Sequence, residues 1–473
     1  MTKQLNESNA PAGRQEEIDA LIGSYKKTNR MQAGLSTKNA PSPKVVLPYY
    51  AYGSVAFIAA AIMMFFAAGD ITSAYMTPKV LSLAHVLILG WVTMIIFGAL
   101  FQLIPVVMEV KLFSEKLAMA SFISLGLGTP LMAYSFWADF IGASFAMMIG
   151  GGLVITSVLM FVVNVAGSAM KTVNKTIENR FIVSSVVWLF LTVLLGLSIV
   201  LFPQILAHGS FLIHVHIGII GWFMMLVVGV ASTLMPMFFI SHQLNKKYLE
   251  YAFWLIHGGL ILLVNTMFFD LGNYIRVLSG AAVLLGFIFF FKYNLDAYKK
   301  RLRRNLDIGM KLSVLAFILF AMTLVFGFLS AFGDIIGNQF TTQINMTYGI
   351  SLIYGFLTAL ILGQMYKTLP FIVWLKLYQD KVGKFKTPLP ADMHSEEAAQ
   401  AHYFYFIGGF ALLIVGVWLK ESVLIQASAA FMLLTALLYG YNTYKILMHK
   451  QQLKPLVMPK IKPRPKPIIK RDK

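Results

Sequence analysis

The residues of this chain best suited to chemistry are histidines. Four of its nine, His85, His214, His216 and His257, fall well inside long apolar runs. An unpaired imidazole is costly in lipid, so one retained at such a position marks a site. His257 stands alone beside Gly258 and Gly259, a setting that suits helix packing as well as ligation. His208, His242, His394, His402 and His449 lie near run ends, in or beside a polar loop, or in the tail, and are expected to be solvated or interfacial.

Two of the buried histidines occupy one position of a repeat. The pattern His85-x4-Gly90-Trp91-x6-Gly98-x6-Pro105 recurs as His216-x4-Gly221-Trp222-x6-Gly229-x6-Pro236 and again as Ile350-x4-Gly355-Phe356-x6-Gly363-x6-Pro370. At about 100° per residue the aromatic, the second glycine and the proline share one stripe facing away from the histidine, with glycine allowing close helix approach and proline kinking the helix. Parallel helices carrying His85 and His216 at the same repeat position would hold the two rings at similar depth. Two neutral imidazoles so placed are what a bis-histidine, low-spin haem b requires. Two residues turn a helix by roughly 200°, so His214 and His216 point to opposite flanks of one helix, and that helix could hold a haem on each side.

Lipid is the solvent that this composition demands. Hydrophobic residues make up 58% of 473 and charged residues 12%, with a mean hydropathy of +0.72, more apolar surface than one water-soluble core could hide. Twelve apolar runs, each long enough to cross a hydrocarbon layer of about 30 Å, lie near 48–68, 80–107, 117–137, 140–166, 181–203, 208–240, 249–269, 274–295, 312–333, 344–375, 402–419 and 422–444. The repeat falls on the second, sixth and tenth, dividing the chain into three four-helix units. Of the 39 basic residues, all but Lys79, Arg276, Lys420 and the intrahelical Lys367 fall on one side of this alternation, which predicts cytosolic termini. The net charge of +19 is thus a topology signal, with some attraction to anionic lipid, and nucleic acid is not an expected partner. Cysteine is absent, which excludes disulfides, thiolate metal sites and covalent haem attachment.

The segment Ile213-His214-Val215-His216-Ile217-Gly218-Ile219-Ile220-Gly221-Trp222 resembles the His-x-His helix of haem-copper oxidase subunit I, most closely its C-family version. The resemblance implies that His214 is the proximal ligand of a high-spin haem and that His216 and His85 clamp a low-spin haem. It also implies twelve helices around a pseudo-threefold axis, haems near the outer side, a cytochrome c or quinol donor, and further oxidase-type subunits. The family carries its His-x-His on helix ten, where this chain has Tyr348 and Ile350. Copper B would need an adjacent histidine pair on helix seven, and here only His257 is offered, a weak metal candidate. The resemblance therefore implies haem b, one or two, without an intact copper site.

The expected architecture is an all-α polytopic membrane protein with a polar tail over 1–44, a membrane domain over 45–445 in units near 45–170, 178–300 and 310–445, and a basic, Pro-rich tail over 446–473. Residues 377–401 read as a polar cytosolic loop. No buried carboxylate is evident inside the cytosolic-half helices, Glu109 lies at a helix end, and Lys367 is expected to snorkel to the interface. The expected function is a haem protein of the bacterial cytoplasmic membrane for electron transfer, with dioxygen or nitric oxide binding or reduction. The alternatives are a non-respiratory haem/copper protein resembling the NnrS family, and a transporter or channel whose histidines line a pathway.

Overall fold

The computed structural model describes residues 39–139, 144–173, 175–203, 209–330, 340–382 and 384–455. The expected tails lie mostly outside these residues, as does His208. Among the described residues twelve helices are long and apolar enough to cross a membrane: α1 (Pro43–Phe66), α2 (Pro78–Val107), α3 (Glu115–Trp137), α4 (Phe145–Ala169), α5 (Ile177–Leu201), α6 (Ser210–Phe239), α7 (Lys247–Phe269), α8 (Asn273–Lys299), α9 (Ile308–Ser330), α10 (Thr341–Lys381), α11 (Glu396–Leu419) and α12 (Ser422–Leu447). The protein is an all-α, polytopic membrane bundle. Several of its helices start on hydroxyl caps: Thr77, Ser114, Ser144, Thr176 and Ser395 each accept a bond from a backbone N–H in the first turn.

Helices α2, α6 and α10 form the centre. Their most hydrophobic stretches are 67%, 67% and 78% enclosed by protein, against 28–56% for the other nine. They touch pairwise: Phe97 of α2 meets Trp222 of α6, Trp91 of α2 donates to Thr358 of α10, and Lys367 of α10 lies over Phe238 of α6. Each packs its repeat glycine on the first helix of its own unit. A Cβ on Gly98 would strike Tyr49 of α1, one on Gly229 would strike Glu178 and Phe181 of α5, and one on Gly363 would strike Gly309 and Leu312 of α9. The repeat aromatics face the same way, Trp91 stacking on Phe57 and Phe356 on Phe320.

The central helices also share a feature that composition did not announce. Immediately after the repeat position each widens into a π-helical stretch, Val86–Thr93, Ile217–Met224 and Ser351–Leu357. Bonds from i to i+5 turn the chain by less than 100° per residue, and stretches of this kind recur at functional sites. All three begin one residue beyond His85, His216 or Ile350, so the repeat is one of backbone geometry as well as side chains.

Helix starts move several boundaries. α11 begins at Glu396, with Ser395 as its cap and Glu396 and Glu397 in its positive first turn, so His402 lies inside a helix rather than beside a loop. α5 begins at Ile177 and buries Glu178, whose Oε1 is 2.7 Å from Lys246 Nζ. Residues of the 377–401 segment fold back: Phe385–Lys386 pairs with Lys454–Pro455, and Tyr378 Oη bonds His449 Nε2 at 2.9 Å. With twelve spans crossing in alternation, the outer chain ends of α1 and α12 lie on the same face, termed the terminal face below.

Candidate functional site

Three imidazoles stand within the first turns of α2 and α6, near the face opposite the chain ends. Each is anchored through Nδ1 to a backbone carbonyl: His85 to Leu81 at 2.7 Å, His214 to Thr192 at 2.9 Å and His216 to Leu212 at 2.8 Å. A carbonyl only accepts, so Nδ1 carries the proton and Nε2 keeps its lone pair. That is the tautomer a metal-ligating histidine needs, with its second-shell bond already made.

The rings divide between two clefts. His85 stacks on Phe136 of α3 at 4.8 Å, on the side of α2 turned toward α3. His214 leans on α5, where Gly196 leaves room for it; a Cβ there would lie 2.7 Å from the ring. His85 thus turns toward α3 and His214 toward α5, whereas His216 turns to the cleft on the other flank of α6. In a cyclic threefold frame equivalent positions on successive units face successive interfaces, and the α6 position turned toward the interface of His85 is then that of His214.

His216 opens on the next interface. There a half-open cleft of about 190 Å³ lies among α6, α7, α8, α9 and α10, bordered by His216, Arg276, Gly280, Met267, Thr323 and Tyr348. Gly280 presents open space to the cleft, and Arg276 Nε is buried without a partner. Tyr348 sits where the repeat frame places the counterpart of His214. It too rests on a glycine, Gly327, whose Cβ would lie 2.8 Å from its ring. Sequence reasoning passed over both glycines, because each seats its ring through a contact between helices that the repeat pattern does not include.

Other expected positions resolve differently. His257 bonds Phe253 O at 2.9 Å and packs on the Phe253 ring at 4.1 Å, away from both clefts. His242 is exposed, as expected. His402 is fully buried and its Nδ1 bonds Tyr366 Oη at 3.0 Å; His394 is largely covered and its ring lies tilted against the same tyrosine. Both histidines depart from the solvated expectation because α11 starts early and the loop folds over its end. Lys367 reaches the terminal face not into solvent but onto a carboxylate. Its ammonium pairs with Asp307, which caps α9 through Met310 N and also meets Arg303 at 3.0 Å. Although burial raises the Asp307 carboxyl, those cations and that N–H hold it below the usual carboxylate range. Among the described residues no three His, Asp or Glu side chains converge as a metal cluster.

No known protein family and no curated protein matches this sequence. Among solved structures, one described as a heme-copper terminal oxidase dimer superposes with a TM-score of 0.60 over 87% of this chain and 85% of that one, at 10% identity. The chain has the fold of a heme-copper terminal oxidase. Identity of this order establishes the fold, and function must be argued from the site.

Proposed function

We propose that this chain is a membrane b-type haem protein of oxidase-like architecture, in which His85 and His214 hold one haem between them and His216 holds a second. The observation that carries this reading is the distribution of three backbone-anchored imidazoles: His85 turned toward α3, His214 toward α5, and His216 toward a preformed cleft on the other flank of α6. The residues present fit the group. Each Nε2 is an available lone pair. Gly196 seats one ring, Gly280 leaves a smooth wall, and the unpartnered Arg276 Nε suits a carboxylate of the kind a haem carries at its edge.

The bound iron would supply one-electron chemistry and, where an axial position stays open, affinity for a diatomic gas. The protein's own part is orientation. Leu81, Thr192 and Leu212 fix the ring tautomers; α6 carries His214 and His216 on opposite flanks and so sets the two sites side by side; the aliphatic lining excludes water. The donor in this reading is a cytochrome c or quinol, with further subunits docking on the bundle, and the protein resides in a bacterial cytoplasmic membrane with its termini in the cytosol. Among the described residues no three-histidine set supports a copper centre beside it.

Reduced-minus-oxidised spectra of purified protein test the reading. Wild type is expected to show haem b bands, the H85A and H214A variants to lose the bis-histidine species, and the H216A variant to keep that species while losing the second. A colourless wild type, or full haem content in the H85A/H214A double variant, would overturn the assignment and favour a transport pathway lined by histidines.

A further inference from the structure

Helix α7 carries one continuous outward stripe. Lys247, Tyr251, Trp254, Gly258 and Ile261 are all exposed and follow one another at steps of three or four residues. At about 100° per residue they share one side of the helix, running inward from the terminal face. Next to this stripe Tyr251, Trp254 and Leu255 of α7 and Phe289 of α8 line an open apolar groove of about 300 Å³. The Tyr251 and Phe289 rings stand 5.3 Å apart across it, and Tyr248 stacks behind Phe289 at 6.2 Å. A Cβ on Gly258 would meet nothing within 4 Å, so the surface stays smooth one turn further in.

On the other flank of Trp254 stands Arg180, the fourth residue of α5. Its guanidinium lies over the Phe253 ring at 4.5 Å and the Trp254 ring at 5.5 Å, in contacts that favour a cation. Among the described residues no carboxylate pairs with it. Glu178, on the same helix, takes Lys246 instead, and Glu250, in the first turn of α7, joins none of these ion pairs. With 25 residues α5 outspans a hydrocarbon layer of about 30 Å, so its first turns lie at the level of the lipid phosphates. Contact with ring faces leaves the in-plane N–H donors of Arg180 for an oxyanion, and the guanidinium fork grips a phosphate in two bonds. Lys247, at the terminal end of the stripe, adds a second exposed cation on the same side.

We propose that these helices hold one anionic phospholipid of the terminal-face leaflet, its phosphate on Arg180 with Lys247 beside it and an acyl chain laid in the groove of Tyr251, Trp254, Leu255 and Phe289. A zwitterionic phospholipid has the same phosphate but brings an ammonium group that the two cations repel, so the site selects net negative head groups. The site rests on the packing of α5, α7 and α8, independently of whether haem binds.

Tryptophan quenching by brominated lipid tests it. The full-length protein is delipidated in detergent and titrated with phosphatidylglycerol or phosphatidylcholine brominated on the acyl chains; the Trp254 signal is the difference in emission between each protein and its W254F counterpart. Brominated phosphatidylglycerol is expected to quench Trp254 at a several-fold lower concentration than the phosphatidylcholine, and Arg180→Gln to weaken that quenching about fivefold with the helical circular dichroism unchanged. Equal quenching by the two lipids, or an unaltered titration in Arg180→Gln, overturns the proposal. A second measurement needs no arginine variant: native mass spectrometry of wild type purified from membranes containing phosphatidylglycerol should retain one such lipid after the zwitterionic lipids are stripped, and loss of both classes together also overturns it.

Discussion

The chemistry of each imidazole is set by a partner that carries no side-chain information: a carbonyl one turn back on the same helix for His85 and His216, and one on α5 for His214. The same economy governs the charged pair at the terminal face. Asp307 is held charged by Lys367 and Arg303 although it is partly buried. Its pKa in the folded protein is depressed, so the pair stabilises the fold above the ordinary carboxylate pKa, and that contribution is lost as pH falls through the depressed value. Asp307→Asn preserves the cap to Met310 and removes only the charge. It should cost on the order of 2 kcal/mol at pH 7, between the values for exposed and buried pairs, and the gap to wild type in thermal unfolding should narrow below about pH 4. A gap independent of pH would assign the effect to packing.

Elements are positioned by glycine contacts too close for any side chain. Gly98, Gly229 and Gly363 let α2, α6 and α10 lie against the first helix of each unit, and a Cβ at any of them would come within 3 Å of a neighbour. Gly98→Leu and Gly363→Leu are expected to lower the unfolding temperature in detergent with a cost of about 1–3 kcal/mol each, whereas Gly152→Leu, where a Cβ meets nothing within 4 Å, should leave it unchanged. Equal losses at all three positions would mean that helix propensity rather than contact sets the effect. The π-helical stretches act at this scale too, since they decide the rotation of everything downstream of the histidines.

At the scale of the whole molecule, three units surround three central helices. Orientation in the membrane can be checked directly because the chain has no cysteine to remove. Single-cysteine variants Lys450→Cys, on the terminal face, and Tyr274→Cys, 94% exposed at the opposite end of the bundle, should react with a membrane-impermeant maleimide from opposite sides, Tyr274→Cys alone being labelled in intact cells. Labelling of Lys450→Cys from outside would reverse the orientation assigned from the basic residues.

Helix number, the threefold division and the opposite pointing of His214 and His216 were legible in the sequence, because hydropathy, repeat spacing and the turn per residue are properties of one chain segment at a time. Which ring faces which was not, because that depends on how units close around an axis. The sequence reading matched His85 with His216 by depth, whereas the neighbours of each ring, Phe136 for His85, α5 for His214 and the cleft for His216, come from other helices. The burial of His402 and the pairing of Lys367 with Asp307 escaped notice for the same reason: both are contacts between segments far apart in the chain. Local pattern determined the helices and their polarity, and only packing decided which neighbours each polar group would meet.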